Sequence, residues 1–236
     1  MSRRTESIAY GGNEIAFDVV HLKRKTMEIA VHPDKSVVVK VPFGSDSEEI
    51  ARRVRRRAGW IHRQMLYFEQ FEPKTPPRRH VSGESHLYLG RKYRLKIRRA
   101  TTPLVLLKSG YFHIQSPNLS QGHIQELLEE WYLQKASTCF QAVFHLVWEK
   151  FKKNTVAKPS LKIRKMKARW GSLSTNGQLT LNPDLIKAPK ECIEYVIIHE
   201  LCHLSHIHHD SNFYKLLDRR LPDWVQRKHK LELALV

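Results

Sequence analysis

Cysteine is scarce in this chain: Cys139, Cys192 and Cys202 are the only three in 236 residues. They form no C-x-x-C pair and leave one over, which argues against a disulfide framework and for a reducing, cytoplasmic setting. No apolar run approaches 18 residues, so no membrane-spanning helix is expected. The start, Met1-Ser-Arg-Arg-Thr-Glu, has no apolar segment after its basic residues and does not read as a secretory signal. There is no G-x-x-x-x-G-K-[ST] loop for cradling phosphates. Acidic residues are few, 23 against 41 Lys and Arg, for a net charge of +18. A field of that sign attracts nucleic acid, nucleotides or anionic surfaces. Two blocks concentrate it, Arg52 to Arg57 and Arg91 to Arg99, and neither implies reading of particular bases.

The chain does have enough apolar residues, 41%, to fill an ordinary core. Strands are expected at 15–20, 27–31 and 37–41, where short β-like runs are separated by turn residues. Ser45-Asp-Ser-Glu48 reads as a capping box, opening a basic helix to about Phe71 with Ile50, Val54, Ile61, Met65 and Phe68 on one face. Gly59 is a mild defect in it, about 1 kcal/mol against alanine. A proline-rich linker is expected near 73–79. Strands follow at 86–89, 91–97, 104–107 and 111–115, then a long helix over about 121–152, then strands at 161–163, 168–172 and 178–181. This predicts an α+β chain in two parts: a β-rich basic N-terminal region over 1–116 and a second domain over 117–236.

The densest chemistry is His199-Glu200-Leu201-Cys202-His203, an H-E-x-x-H segment. In a chain with 14 histidines composition alone gives it about one chance in twenty, so the surroundings decide. Ile193, Val196, Ile197, Leu201 and Leu204 recur at helical spacing, which predicts a helix from about Pro189 to His206. His199 and His203, four apart, share the opposite face and can reach one metal ion. Glu200 can take a proton from a metal-held water. Cys202 reads as a small buried residue. A third ligand is needed. His206 lies about 10 Å along a straight helix from His199, too far for an ion between His199 and His203. His209, six residues past His203, serves if the chain turns back; His208 is the alternative. No glycine follows His203 to make that turn, so the metzincin spacing is not met.

The segments Arg169-Trp-Gly-Ser172, Gly177-Gln-Leu-Thr-Leu-Asn182 and His199-Glu-Leu-Cys-His-Leu204 together resemble the YgjP-like metallopeptidases, relatives of the SprT and WLM zinc protease group. Leu89-Gly-Arg-Lys-Tyr-Arg94, Gly59-Trp-Ile61 and Phe213 after His209 extend the likeness over nearly the whole chain. Leu173 stands where the family often has cysteine, which touches no expected ligand. The resemblance implies a zincin-like C-terminal domain with Zn²⁺ held by His199, His203 and His209, Glu200 as general base, and a protein or peptide substrate. Arg169, Tyr195 and Tyr214 are candidate donors to the developing oxyanion, and the 178–181 strand could pair with an extended peptide. DNA-associated proteases within the related group make nucleic acid an expected partner, recruited by the arginine-rich helix. Two other readings remain: a metal-dependent hydrolase of nucleotides or phosphates, and a non-catalytic nucleic-acid-binding protein with structural zinc closed by Asp210 or His208.

Overall fold

The computed structural model describes residues 3–32, 34–69, 78–151, 157–166 and 169–235. Contacts divide the chain into two units, Met1–Thr75 and Pro76–Leu235. Most of the expected linker at 73–79 lies outside the described residues.

In the first unit β1 (Arg3–Tyr10), β2 (Asn13–Leu22), β3 (Glu28–Val31) and β4 (Val37–Pro42) form a sheet in the order β1-β2-β4-β3. Alternation puts Ile15, Phe17, Val19, Val37, Val39 and Val41 inside. Helix α1 (Ser47–Glu69) joins this core through Ile50, Val54, Ala58 and Ile61, one face at three- and four-residue steps. Its start is capped by Asp46, whose carboxylate accepts from the Glu49 N–H at 3.0 Å, rather than by Ser45, whose hydroxyl donates to the Pro42 carbonyl. Gly59 also gives clearance: a Cβ there would lie 2.8 Å from Tyr10 Oη.

The second unit opens with β5 (Ser85–Tyr88), β6 (Arg91–Arg99), β7 (Leu104–Lys108) and β8 (Tyr111–Ser116), ordered β5-β6-β8-β7. One face of this sheet packs on α2 (Gln121–Phe151): Phe112 meets Trp131 edge-on at 4.9 Å, and Tyr132 Oη donates to the Leu87 carbonyl. The sheet ahead of residue 116 therefore shares a core with the helix after it, and 116/117 is a strand-to-helix junction inside this unit. A second sheet, β10-β11-β9, is built from β9 (Ser160–Ile163), β10 (Gly171–Leu173) and β11 (Gln178–Leu181). A 3-10 turn (Pro183–Lys187), α3 (Lys190–Cys202), α4 (Ser211–Arg220) and α5 (Trp224–Leu235) complete it.

Two contacts fix where α3 begins. The Leu89 and Gly90 N–H groups donate to the Ile186 and Lys187 carbonyls at 2.9 and 3.0 Å. Gly90 has φ +78, and a Cβ there would come within 2.8 Å of Pro189, the residue ahead of α3. Only glycine takes that conformation at that clearance. The β5–β6 hairpin thus rests directly against the foot of the histidine-bearing helix.

Candidate metal centre

Helix α3 is buried on more than the one face that apolar spacing indicates: Tyr195, Ile198 and Cys202 are as enclosed as Ile193, Val196, Ile197 and Leu201. It also ends at Cys202, earlier than the apolar pattern suggests. The His203, Leu204 and Ser205 N–H groups donate three residues back, to Glu200, Leu201 and Cys202. This tightening winds the helix to a stop without glycine. His206 falls outside the helix, and its carbonyl accepts from His203 Nδ1–H at 2.9 Å. A carbonyl can only accept, so Nδ1 carries the proton and the His203 Nε2 lone pair is free for a metal.

The chain then turns back into α4, whose N-cap is Asp210; its carboxylate accepts from the Asn212 and Phe213 N–H groups at 3.0 and 2.9 Å. His209, one residue before that cap, is thereby held against α3. The side-chain nitrogens of His199, His203 and His209 all lie within 4.8 Å of one another. His199 Nε2 and His209 Nε2 are 3.0 Å apart. Two nitrogens on one tetrahedral zinc, each about 2.0–2.1 Å from it, stand about 3.3 Å apart, so this donor set fits such an ion. His208 and Asp210 do not join the group; the Asp210 carboxylate is occupied by the cap.

Phe213 is the floor of the cluster, fully buried with its ring 5.0, 4.8 and 4.6 Å from those of His199, His203 and His209. Burial, with His209 and His203 alongside, pulls the His199 pKa down to about 4. Burial and His203 lower His209 as well. Both rings are therefore neutral near pH 7, as ligands must be.

Glu200 is 8% exposed. Burial pushes its pKa up to about 7, opposed by a hydrogen bond from the Leu173 N–H and by the charge of Arg169. Its neighbour on the sheet is Gly171, where a Cβ would fall 2.8 Å from Glu200 Cγ and 2.9 Å from Oε1. The glycine of the Arg-Trp-Gly-Ser segment is thus required by the approach of β10 to the carboxylate. Asn182 holds the chain leading into β10: its side-chain amide donates to the Met166 carbonyl at 2.8 Å, and its N–H to the Trp170 carbonyl at 2.9 Å.

A cleft of about 590 Å³ opens over His199, Glu200, His203 and His209 and is walled by β10 and by Arg169. Tyr195 and Tyr214 are not in its wall; they flank Trp224, with ring centroids 6.4 and 5.5 Å from it. Strand β11, the sequence-based candidate for pairing with an extended peptide, is bonded on both sides, to β9 and to β10. The edge beside the cleft is β10 instead. The roles of Gly171, of the Leu173 N–H and of the Phe213 floor were missed from the sequence; the first and last stood in motifs, but motif position does not show what a side chain touches.

Two histidines four apart on a largely buried helix, an adjacent buried carboxyl group and a third histidine returned to the same point belong to a metal-dependent hydrolase. A profile of the YgjP-like metallopeptidase domain matches residues 25–234. The chain belongs to the YgjP-like metallopeptidase family, and with it to enzymes that work through a catalytic metal. Two solved structures are similar to part of it. The metallopeptidase zymogen abylysin of Pyrococcus abyssi shares 23% identity at a TM-score of 0.33, over 41% of this chain and 99% of that one. The metallopeptidase zymogen jannalysin of Methanocaldococcus jannaschii shares 21% at a TM-score of 0.37, over 41% of this chain and 90% of that one. Among curated proteins none matches. No described helix is long and apolar enough to cross a membrane.

Proposed function

We propose that this metallopeptidase uses Zn²⁺ held by His199, His203 and His209, with Glu200 as the general base, to hydrolyse peptide bonds in protein or peptide substrates. The observation that carries this is the convergence of three imidazoles beside one buried carboxyl group. Three nitrogen donors with no thiolate suit zinc with a position left for water. Such an ion, when bound, polarises a carbonyl and makes water a nucleophile near neutral pH. Glu200 accepts the proton of the attacking water and hands it to the leaving amine. The Leu173 N–H and the close approach of Gly171 keep its carboxyl group aimed at the cleft. The His206 carbonyl fixes the tautomer of His203, and Phe213 packs against all three rings. Among the three candidate oxyanion donors, Arg169 is favoured because it lines the cleft. An extended substrate would lie along β10, the free edge beside the carboxylate.

Glu200→Gln removes the base while leaving the three imidazoles untouched. Metal content should stay at the parent level while peptide turnover falls by about 100-fold or more. Turnover within a few-fold of the parent would remove Glu200 from the chemistry.

A further inference from the structure

The face of the β5-β6-β8-β7 sheet turned away from α2 has no part in the metal site. Cross-strand pairing aligns Arg94, Tyr111 and Lys108 in one row and Lys96, His113 and Leu106 in the next. Lys92 and Arg98 extend the cations along β6 in both directions, because every second residue shares a face, about 6.6 Å apart. The alternate residues, Leu95, Phe112 and Ile114, point inward and are buried. This face thus carries Lys92, Arg94, Lys96, Arg98 and Lys108, with two planar rings at its centre and the exposed Leu104 and Leu106 along its β7 edge.

No acidic residue occurs between Glu84 and Glu126. None of the five cations forms an ion pair among the described residues. The one interaction they make with the sheet's own rings is Lys96 Nζ lying 3.5 Å from the centroid of Tyr111, whose ring meets His113 at 6.2 Å. Like charges repeated along a strand repel and do nothing for the fold, so a polyanion would be attracted here. A lipid headgroup or a run of carboxylate side chains would use the cations but presents no flat ring to stack on Tyr111 and His113. Nucleic acid with unpaired bases offers both phosphates and planar rings.

We propose that this sheet face binds single-stranded nucleic acid, its phosphates on the β6 and β7 cations and its bases stacked on Tyr111 and His113. The inference does not depend on the peptidase reading, since no residue of the metal site takes part. It assigns binding to the second unit and not to the arginine block of α1.

Fluorescence anisotropy on the full chain, over 50–300 mM salt, tests it with labelled 12-mers of uridine and of thymidine and with a duplex of equal length. Both single strands are expected to bind at least fivefold more tightly than the duplex; the tighter of the two marks the natural sugar. Arg94→Glu with Arg98→Glu should weaken binding at least tenfold and flatten the slope of log affinity against log salt by about 1.4, since each phosphate contact contributes about 0.7. Tyr111→Leu should weaken binding at least fivefold with the salt slope unchanged, a result that charge alone would not produce. Arg56→Glu with Arg57→Glu, the same charge change on α1, should leave affinity within twofold. The proposal is overturned if the α1 variant loses as much as the sheet variant, or if Tyr111→Leu binds like the parent. Equal binding of the duplex, polyglutamate or phosphatidylserine vesicles would also overturn it.

Discussion

Glu200 is a carboxyl group in a place that favours its protonated form, and this has a measurable consequence in the metal-free protein. Raising its pKa from 4.5 to about 7 corresponds to about 3 kcal/mol. The folded chain holds this proton more tightly than the unfolded chain, so the contribution is complete below pH 4.5 and is lost as pH rises through 7. Glu200→Gln has no such loss. Thermal melts of metal-stripped parent and variant should therefore diverge as pH goes from 5 to 8, with the variant increasingly the more stable. A difference that stays constant with pH would mean that burial is not what sets this group. The shared face of His199 and His203 and the place of Glu200 beside them follow from a helix repeating every 3.6 residues; spacing leaves His209 and His208 both open, and it is the turn back into α4 that brings His209 to the cluster. The surroundings of those residues do not follow from spacing: that Gly171 abuts Glu200, or that Phe213 lies under three imidazoles, depends on segments far apart in the chain.

The elements that position the site differ in how plainly the sequence announces them. One-sided apolar spacing marks α1, while α2 and α3 stand out by apolar content over a long run and are enclosed on several faces. β1 carries little apolar signal: Ile8 is its one buried residue among those whose burial is described, and its strand form comes from pairing along β2. α4 and α5 are likewise weakly marked, being short and polar and buried at few positions, such as Phe213, Leu217 and Leu231. Apolar spacing continues through Leu204 and overruns the end of α3 at Cys202, where the hydrogen bonds tighten after Glu200. The short α4 nevertheless sets the third imidazole through its Asp210 cap. Asp210→Ala frees the Asn212 and Phe213 N–H groups and loosens the chain at His209. We expect metal affinity to fall by about tenfold with little change in melting temperature, measured by competition with a chromophoric chelator. An unchanged affinity would show that Phe213 packing alone sets His209.

The division of the chain gives all the site residues to the second unit, which has its own core from Leu95 to Leu231. Charge divides unevenly too. Residues 76–236 contain 27 basic and 13 acidic side chains, against 14 and 10 in residues 1–75. Both basic blocks, Arg52 to Arg57 and Arg91 to Arg99, are visible in the sequence; strand pairing adds Tyr111, His113 and Lys108 beside the cations of β6. Expressed alone, residues 76–236 are expected to give a cooperative thermal transition and to bind one metal ion per chain. A fragment that melts without a transition, or stays metal-free when zinc is supplied, would mean that the first unit is needed to build the site.

The most direct test is elemental analysis of tag-free protein alongside His209→Ala and His208→Ala. The three-histidine site predicts about one zinc per chain in the parent and in His208→Ala, and a clear loss in His209→Ala. Full zinc content in His209→Ala, or a parent that remains empty after zinc is supplied, would contradict it.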